Sequence, residues 1–341
     1  MTTPRPLNER VTAPVDAAAP ASGGGVTWRA ATHADAPAIL ECEIETGEAD
    51  HPQYRLTLED IEEHFGHSWV DLDLDSLLAI DDNGAVIAWG FATVVPGQET
   101  AIRCLMFGGV RPSQRGQGVG GQLLDWQESR GLQLLAQSHA TVPGVFVAWA
   151  DELNTSFVRL ARSRGFTVAR HFLQLQRRFD EPIEPVALDG YEIVPFDLSR
   201  SNEVRLAKND SFRDHWGSQP SPEESWESAF RRSNKRHDLS FLALAPDGEV
   251  AGFVLCEVNE GDFETSGFSH AYINLVGTRR EHRGRGIARA LLTHTLEACR
   301  GDGLEGAVLD VDAESPTGAT ALYDQVGFTV SDRSMELNKQ F

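Results

Sequence analysis

RGQGVGGQLL, residues 115–124, returns as RGRGIARALL at residues 283–292, an offset of 168 positions (283 − 115). The Arg, two of the glycines and the Leu-Leu pair are shared. Each copy follows an apolar strand, AIRCLMFGGV (101–110) or AYINLVGT (271–278), and each leads into a helix with an apolar face. A helix start carries unpaired N–H groups and the positive end of the macrodipole, so it attracts phosphate oxygens. Glycine lets the backbone approach such an anion and supplies dihedrals that a Cβ disfavours. Arg115 or Arg283 would add a fixed positive charge. The sequence therefore predicts one diphosphate-binding loop in each half of the chain.

Working outward, the same element order appears twice. In the first half, strands are predicted at 26–31, 76–81, 85–95, 101–110, 145–150 and 172–179. Helices are predicted at 35–46, 56–65 behind Thr57, from Val119, and at 154–166. In the second half, strands are predicted at 191–196, 239–245, 250–258, 271–278, 304–313 and 329–337. Its helices fall at 198–212, 222–233, from Ile287, and at 316–328. Acids in the first turn of 222–233 suit the macrodipole. A repeated α/β unit of this size reads as two tandem domains, each a central mixed (α+β) sheet flanked by helices: 26–179 and 190–341, with 180–189 as linker. Residues 1–25, rich in Pro, Ala, Ser and Gly, read as a flexible tail. The acid run DLDLD at 71–75 reads as a solvated approach to a strand.

Composition narrows the function. A chain of 341 residues with 41% apolar and 24% charged residues suits a two-domain globular protein. A net charge of −21 argues against nucleic acid or an anionic membrane as partner. No window approaches a membrane span. The four cysteines (Cys42, Cys104, Cys256, Cys299) form no CxxC pair, so neither disulfide framework nor zinc site is expected, and a reducing cytoplasm fits best. No metal is expected. The partners expected are small molecules, on a monomer or homodimer.

Gly116, Gly118 and Gly121 satisfy the letters of the dinucleotide fingerprint GxGxxG, but that fingerprint should open the first strand–helix–strand unit, and the second copy has Arg289 at its third glycine. What both copies share is Arg-x-x-Gly-x-Gly/Ala: Arg115, Gly118, Gly120 and Arg283, Gly286, Ala288. In that position this pattern resembles the acetyl-CoA loop of the GCN5-related N-acetyltransferase (GNAT) superfamily. The helix-then-Gly-Phe endings, Gly165-Phe166 and Gly327-Phe328, extend the resemblance over each repeat. The double arrangement, with NDSFRDHWG (209–217) and LYDQVGF (322–328), resembles tandem acetyltransferases of the mycothiol synthase type.

The resemblance implies acetyl-CoA as acyl donor and direct attack of a primary amine on the thioester. The diphosphate would lie on the backbone of Arg283, Gly284, Arg285, Gly286, Ile287, Ala288 and Arg289. The first-half counterpart would be Arg115, Gly116, Gln117, Gly118, Val119 and Gly120. Val276, Gly277 and Thr278, matched by Gly108, Gly109 and Val110, would meet the pantetheine arm. Tyr323, four before Gly327, is implied as proton donor to the leaving thiolate; four before Gly165 stands Ala161. Chemistry is accordingly expected in the C-terminal half, with the N-terminal half either binding CoA or bracing the fold. The position of the base on the fourth strand of some relatives is Tyr272 here, leaving Glu257 or His270 to act through water. Ser315 replaces an Asn common in the family, and His215 and Trp216 would shape the acceptor pocket. Two other classes stay open: a non-catalytic acyl-CoA sensor and, on the glycine letters alone, a dinucleotide-dependent oxidoreductase.

Overall fold

The computed structural model describes residues 5–315 and 318–341. The chain packs as two compact units, one comprising residues 1–169 with Met335–Phe341, the other Arg170–Ser334.

The first unit begins with α1 (Leu7–Arg10) and β1 (Val26–Arg29), then α2 (Ala36–Asp50), α3 (Leu58–Gly66) and α4 (Leu72–Asp75). The hairpin β2 (Ser76–Asp81) and β3 (Val86–Val94) follows, with β4 (Ile102–Val110), α5 (Val119–Ala136), β5 (Gly144–Asp151), α6 (Thr155–Ser163) and the start of β6 (Thr167–Arg178). Strands β1 to β4 pair antiparallel in order, and β4 pairs parallel with β5. Leu124 and Leu135 of α5 pack with Met106 and Phe146 on one face of this sheet. Ile39, Ile61 and Phe65 cover Leu78 and Phe91 on the other.

The second unit repeats the pattern with β7 (Glu192–Pro195), α7 (Ser201–Ser211), α8 (Glu223–Ala229), β8 (Phe241–Leu244) and β9 (Val250–Glu257). It continues with α9 (Phe263–Ser266), β10 (His270–Thr278), α10 (Ile287–Gly301), β11 (Gly306–Asp312), α11 (Ala319–Gln325) and β12 (Thr329–Gln340). Strands β7 to β10 are antiparallel, β10 and β11 parallel, and β11 pairs antiparallel with β6. Leu291, Leu292 and Leu296 of α10 cover Val254, Ile273 and Leu309. Val204 and Trp226 cover Phe253 and Leu255 from the opposite side. The mixed sheets flanked by helices are those the periodicity predicts.

Four local readings change in whole or in part. Residues 1–25 read as a flexible tail, but Leu7 is fully buried, and the amides of Leu7 and Asn8 donate to the carbonyls of Ala140 and Ser138 at 2.9 and 3.0 Å. Leu7 and Val11 stand four apart, so a single helical turn buries both. The acid run 71–75 is solvated at Asp71, Asp73 and Leu74 as read, but it forms the short α4 capped by Asp71, and its last acid, Asp75, is buried and accepts from Arg130 Nε at 2.8 Å. The unit boundaries also differ from 26–179 and 190–341, because the chain passes between units inside β6 and again inside β12. Leu175 of β6 lies in the second unit's core, whereas Met335 and Leu337 of β12 lie in the first unit's core. Residues 180–189, read as a linker, dock on the second unit: Ile183 is buried, and the Val186 amide donates to Thr293 Oγ1 at 3.3 Å. For the helix predicted over 316–328, residues 316–317 lie outside the described residues; α11 begins at Ala319.

Candidate active site

The repeated loops have one backbone geometry. Gly284 and Gly286 stand at φ +74° and +78°, and Gly116 and Gly118 at +76° and +88°. The second glycine of each pair is the N-cap of α10 or α5, with no side chain capping the helix. Both helices thus open on free amides, as anion binding requires. An L-residue in this left-handed region costs roughly 1–2 kcal/mol, which explains the glycines without any packing demand. A Cβ on Gly284 or Gly286 would meet nothing within 4 Å.

The arginines that open the motif are held by an acid and a backbone carbonyl of their own unit. Arg115 donates from Nε to the Val110 carbonyl at 3.0 Å and from both terminal nitrogens to Asp50 at 2.8 Å. Arg283 donates to the Ser211 carbonyl at 2.7 Å and to Asp214 at 3.2 Å. Each is a strut from the loop to the helix crossing the sheet, and its charge is already neutralised or shared. Arg285 donates to the Tyr191 hydroxyl at 2.6 Å. Among the described residues only Arg289, exposed on the first turn of α10, is a loop cation with no hydrogen bond or ion pair. Its counterpart in the first unit is Gly121. Glu249, Glu281 and His282 bring ligand-type atoms within 4.8 Å of one another, but Arg279 lies 3.4 Å from Glu249 and Tyr191 2.9 Å from His282, so this group braces the loop.

Both units have parted strands beside the loop. β10 pairs with β11 only through His270, Ala271 and Tyr272, whereas its pairing with β9 continues to Thr278 after a bulge at Asn274. β4 likewise pairs with β5 only as far as Leu105 but with β3 to Val110. Beyond these points one edge of β10 and β4 is released from its parallel neighbour. Val276, Gly277 and Thr278 lie on the released stretch of β10, and Gly108, Gly109 and Val110 on that of β4. Backbone groups there suit an extended ligand that adds hydrogen bonds as a strand would.

Gly277 has a second reason to be glycine. A Cβ there would overlap the Phe253 ring and come within 2.8 Å of Ser211 Oγ on α7. Gly109 repeats the device, since a Cβ would overlap Thr46 Cγ2 on α2. Gly277→Ala is expected to destabilise the fold by about 1–3 kcal/mol through overpacking, read as a lower denaturant midpoint with an unchanged m-value.

Tyr323 on α11 is buried to 8% exposure, its ring 5.9 Å from that of Phe328. Its hydroxyl has no hydrogen-bond partner among the described residues, and burial pushes its pKa up to about 12. Ala161, at the corresponding place in α6, is fully buried among apolar residues.

Both residues considered as bases through water already have partners. Glu257 is ion-paired with Lys235 and lies 3.5 Å from Asn274 Nδ2. His270 stands in the fully paired part of β10, 5.5 Å from the ring of Phe263 and 5.1 Å from that of Phe268; burial lowers its pKa. The Ser315 amide donates to the Asp312 carbonyl at 3.1 Å. His215 and Trp216 follow α7 as expected, with the Arg170 guanidinium 5.2 Å from the Trp216 ring centre.

Sequence reasoning missed Asp310. Tyr272 donates to its Oδ2 at 2.7 Å from the last residue of β10 that pairs with β11. The signal was the alternation of LEGAVLDVDA, which sets Asp310 and Asp312 on one face of a strand whose other face is apolar.

A family model for the acetyltransferase (GNAT) family matches residues 202–328. A mycothiol acetyltransferase of Kocuria rhizophila is 30% identical over 70% of this chain and 77% of its own length. The chain belongs to the GNAT family. A second mycothiol acetyltransferase, from Thermobispora bispora, is 31% identical over 70% of this chain and 76% of its own. A GCN5-related N-acetyltransferase structure from Sphaerobacter thermophilus superposes with a TM-score of 0.69 at 26% identity, covering 94% of this chain and 97% of that one. A tandem GNAT protein from the clavulanic acid biosynthesis pathway shares the fold over 92% of this chain and 98% of its own, with a TM-score of 0.64 at 14% identity. As a GNAT member this chain is an N-acetyltransferase, of a family whose donor is acetyl-CoA. No helix among the described residues is long and apolar enough to cross a membrane.

Proposed function

We propose that the second unit transfers an acetyl group from acetyl-CoA to a primary amine of a small polar molecule. The observation that carries this reading is the parting of β10 from β11 after Tyr272, beside an uncapped helix start. Amides from Gly284 to Arg289 would hold the diphosphate, and Val276 to Thr278 would guide the thiol arm toward the parting point. Binding there brings amine and thioester together, the largest service such an enzyme renders. Tyr323 would donate to the leaving sulfur. The first unit has the loop and parted strands but Ala161 in place of a phenol, so it would hold CoA or brace the fold without turning it over.

The acceptor we favour is the amine of a cysteinyl pseudodisaccharide, which the resemblance to mycothiol synthases implies and which two relatives named mycothiol acetyltransferase support. Tyr272, Asn274, Gln174 and Gln176 offer the hydrogen bonds that a hydroxyl-rich molecule would need. The test is thiol release from acetyl-CoA with L-cysteinamide, glucosamine and spermidine as acceptors, alongside calorimetry with CoA and NAD. Thiol release with an amine supports the proposal. CoA binding without release favours a sensor, and NAD binding without CoA binding an oxidoreductase.

Arg289 supplies a separate check. Arg289→Gln is expected to raise KM for acetyl-CoA about 3- to 10-fold, at the low end for a charged hydrogen bond because the site is exposed. The ratio should shrink as salt rises from about 0.05 to 0.5 M while kcat stays level.

A further inference from the structure

We propose that the proton lost by the attacking amine passes through the Tyr272 hydroxyl to Asp310. This rests on the acetyl-transfer reading above and names a part of the machinery for which neither Glu257 nor His270 is free.

Strand geometry sets the two side chains at one point. Tyr272 and Val308 are the last residues paired between β10 and β11. Asp310 is two residues beyond Val308, so its side chain leaves the same face of β11, on the far wall of the opening. The 2.7 Å hydrogen bond from Tyr272 Oη to Asp310 Oδ2 therefore spans the point where the strands separate. A thioester guided along the released edge of β10 would bring its reacting end toward this point. A phenol oxygen that donates its hydrogen to a carboxylate also has the lone pairs with which to accept a hydrogen from nitrogen.

Charge singles out the same residue. Of the carboxylates on this face, Glu257 is paired with Lys235, and Asp312 lies 3.0 Å from Arg170. Asp310 makes no ion pair among the described residues. It is exposed to solvent by area, although the β-strands around it take part of its hydration away. That desolvation raises its pKa, the Tyr272 hydrogen bond opposes the rise, and the like charge of Asp332 on β12 adds to it. The charged and titratable groups around it are thus Tyr272 from β10, Asp332 from β12, and Asp312 with its Arg170 along β11 and β6; its register partner on β6, Gln174, is neutral.

The first unit is an internal control. Its last β4–β5 pair is Leu105 with Val147, and two residues on stands Trp149. Leu105 and Trp149 occupy the places of Tyr272 and Asp310, and Trp149 stacks on Phe107 at 5.5 Å. The dyad is present where Tyr323 is present and missing where Ala161 replaces it.

The step balances without a further reagent. The amine nitrogen forms a bond to the acetyl carbon, and the carbon–sulfur bond breaks. The nitrogen's proton moves to Tyr272 Oη as the Tyr272 proton moves to Asp310 Oδ2, and the sulfur takes the proton of Tyr323. Asp310 then gives one proton to water and Tyr323 regains one.

Asp310 must be ionised to accept, so turnover should fall as pH drops through its raised pKa. With the panel amine that wild-type protein acetylates, Asp310→Asn is expected to lower kcat about 10²-fold and to lose this acid limb. KM for acetyl-CoA should stay within about twofold, since the loop is untouched. Asp310→Glu should recover part of the rate. Asp332→Asn, which removes a like charge, should keep the plateau and move the acid limb to lower pH. Calorimetric CoA binding by each variant establishes that it is folded. Wild-type turnover in Asp310→Asn, or an acid limb at the same pH in both Asn variants, overturns the assignment while leaving acetyl transfer intact. No thiol release by wild-type protein with any panel amine overturns both.

Discussion

Tyr323→Phe is expected to lower kcat for acetyl transfer by about 10²-fold or more while leaving the folded protein nearly as stable as the parent. The two expectations come from one observation. The ring is packed in the second unit's core, and Phe retains that packing; the hydroxyl has no hydrogen-bond partner among the described residues whose loss would cost stability. Stability should therefore stay within about 0.5 kcal/mol. Burial holds the phenol proton to about pH 12, so the donor stays protonated throughout an ordinary assay. The same desolvation disfavours a thiolate, so the leaving sulfur accepts a hydrogen bond and then the proton where its charge is least tolerated. Stopped assays of thiol release at saturating amine, with a parallel thermal melt, check both parts. Unchanged turnover would leave Tyr323 as a core aromatic.

Replacing both left-handed glycines of the second loop, Gly284→Val with Gly286→Val, is expected to lower kcat/KM for acetyl-CoA about 10²-fold. Each position sits at φ near +75°, where a branched residue is strained by at least ~1–2 kcal/mol. Two such strains, about 2–4 kcal/mol together, displace the loop whose amides would meet the diphosphate. Neither valine meets a neighbour at its Cβ, so the effect belongs to backbone shape rather than to a clash in the core. The matched pair in the first unit, Gly116→Val with Gly118→Val, imposes similar strain and should leave turnover within about twofold. Steady-state kinetics on the two double variants, with CoA titrations, would assign the loops. Equal losses from both pairs would move part of the reaction into the first unit.

The loops show how far pattern reaches. RGQGVG and RGRGIA announce an uncapped, glycine-shaped helix start because the φ preference of Gly is local and the same in every fold. The stretches 108–110 and 276–278 beside the parted strands were legible by position, although the overlap of a Gly277 side chain with Phe253 and Ser211 was not. The arginines were legible as part of the motif but not as struts, because Asp50 and Asp214 are remote in sequence. Asp310 was readable as one of two acids alternating on a strand. Its hydrogen bond to Tyr272, 38 residues away, was not.

Periodicity, turn residues and the 168-residue repeat by themselves determined that this chain builds the same α/β unit twice, because hydrophobic alternation and glycine dihedrals act over a few residues. Only the tertiary structure decided which unit each closing strand joins. An apolar strand edge carries no address, and two repeated sheets offer similar edges, so packing sends Leu175 to one core and Leu337 to the other. It likewise decided which acids remain without a cation, since charge pairing depends on distances that only the folded chain sets.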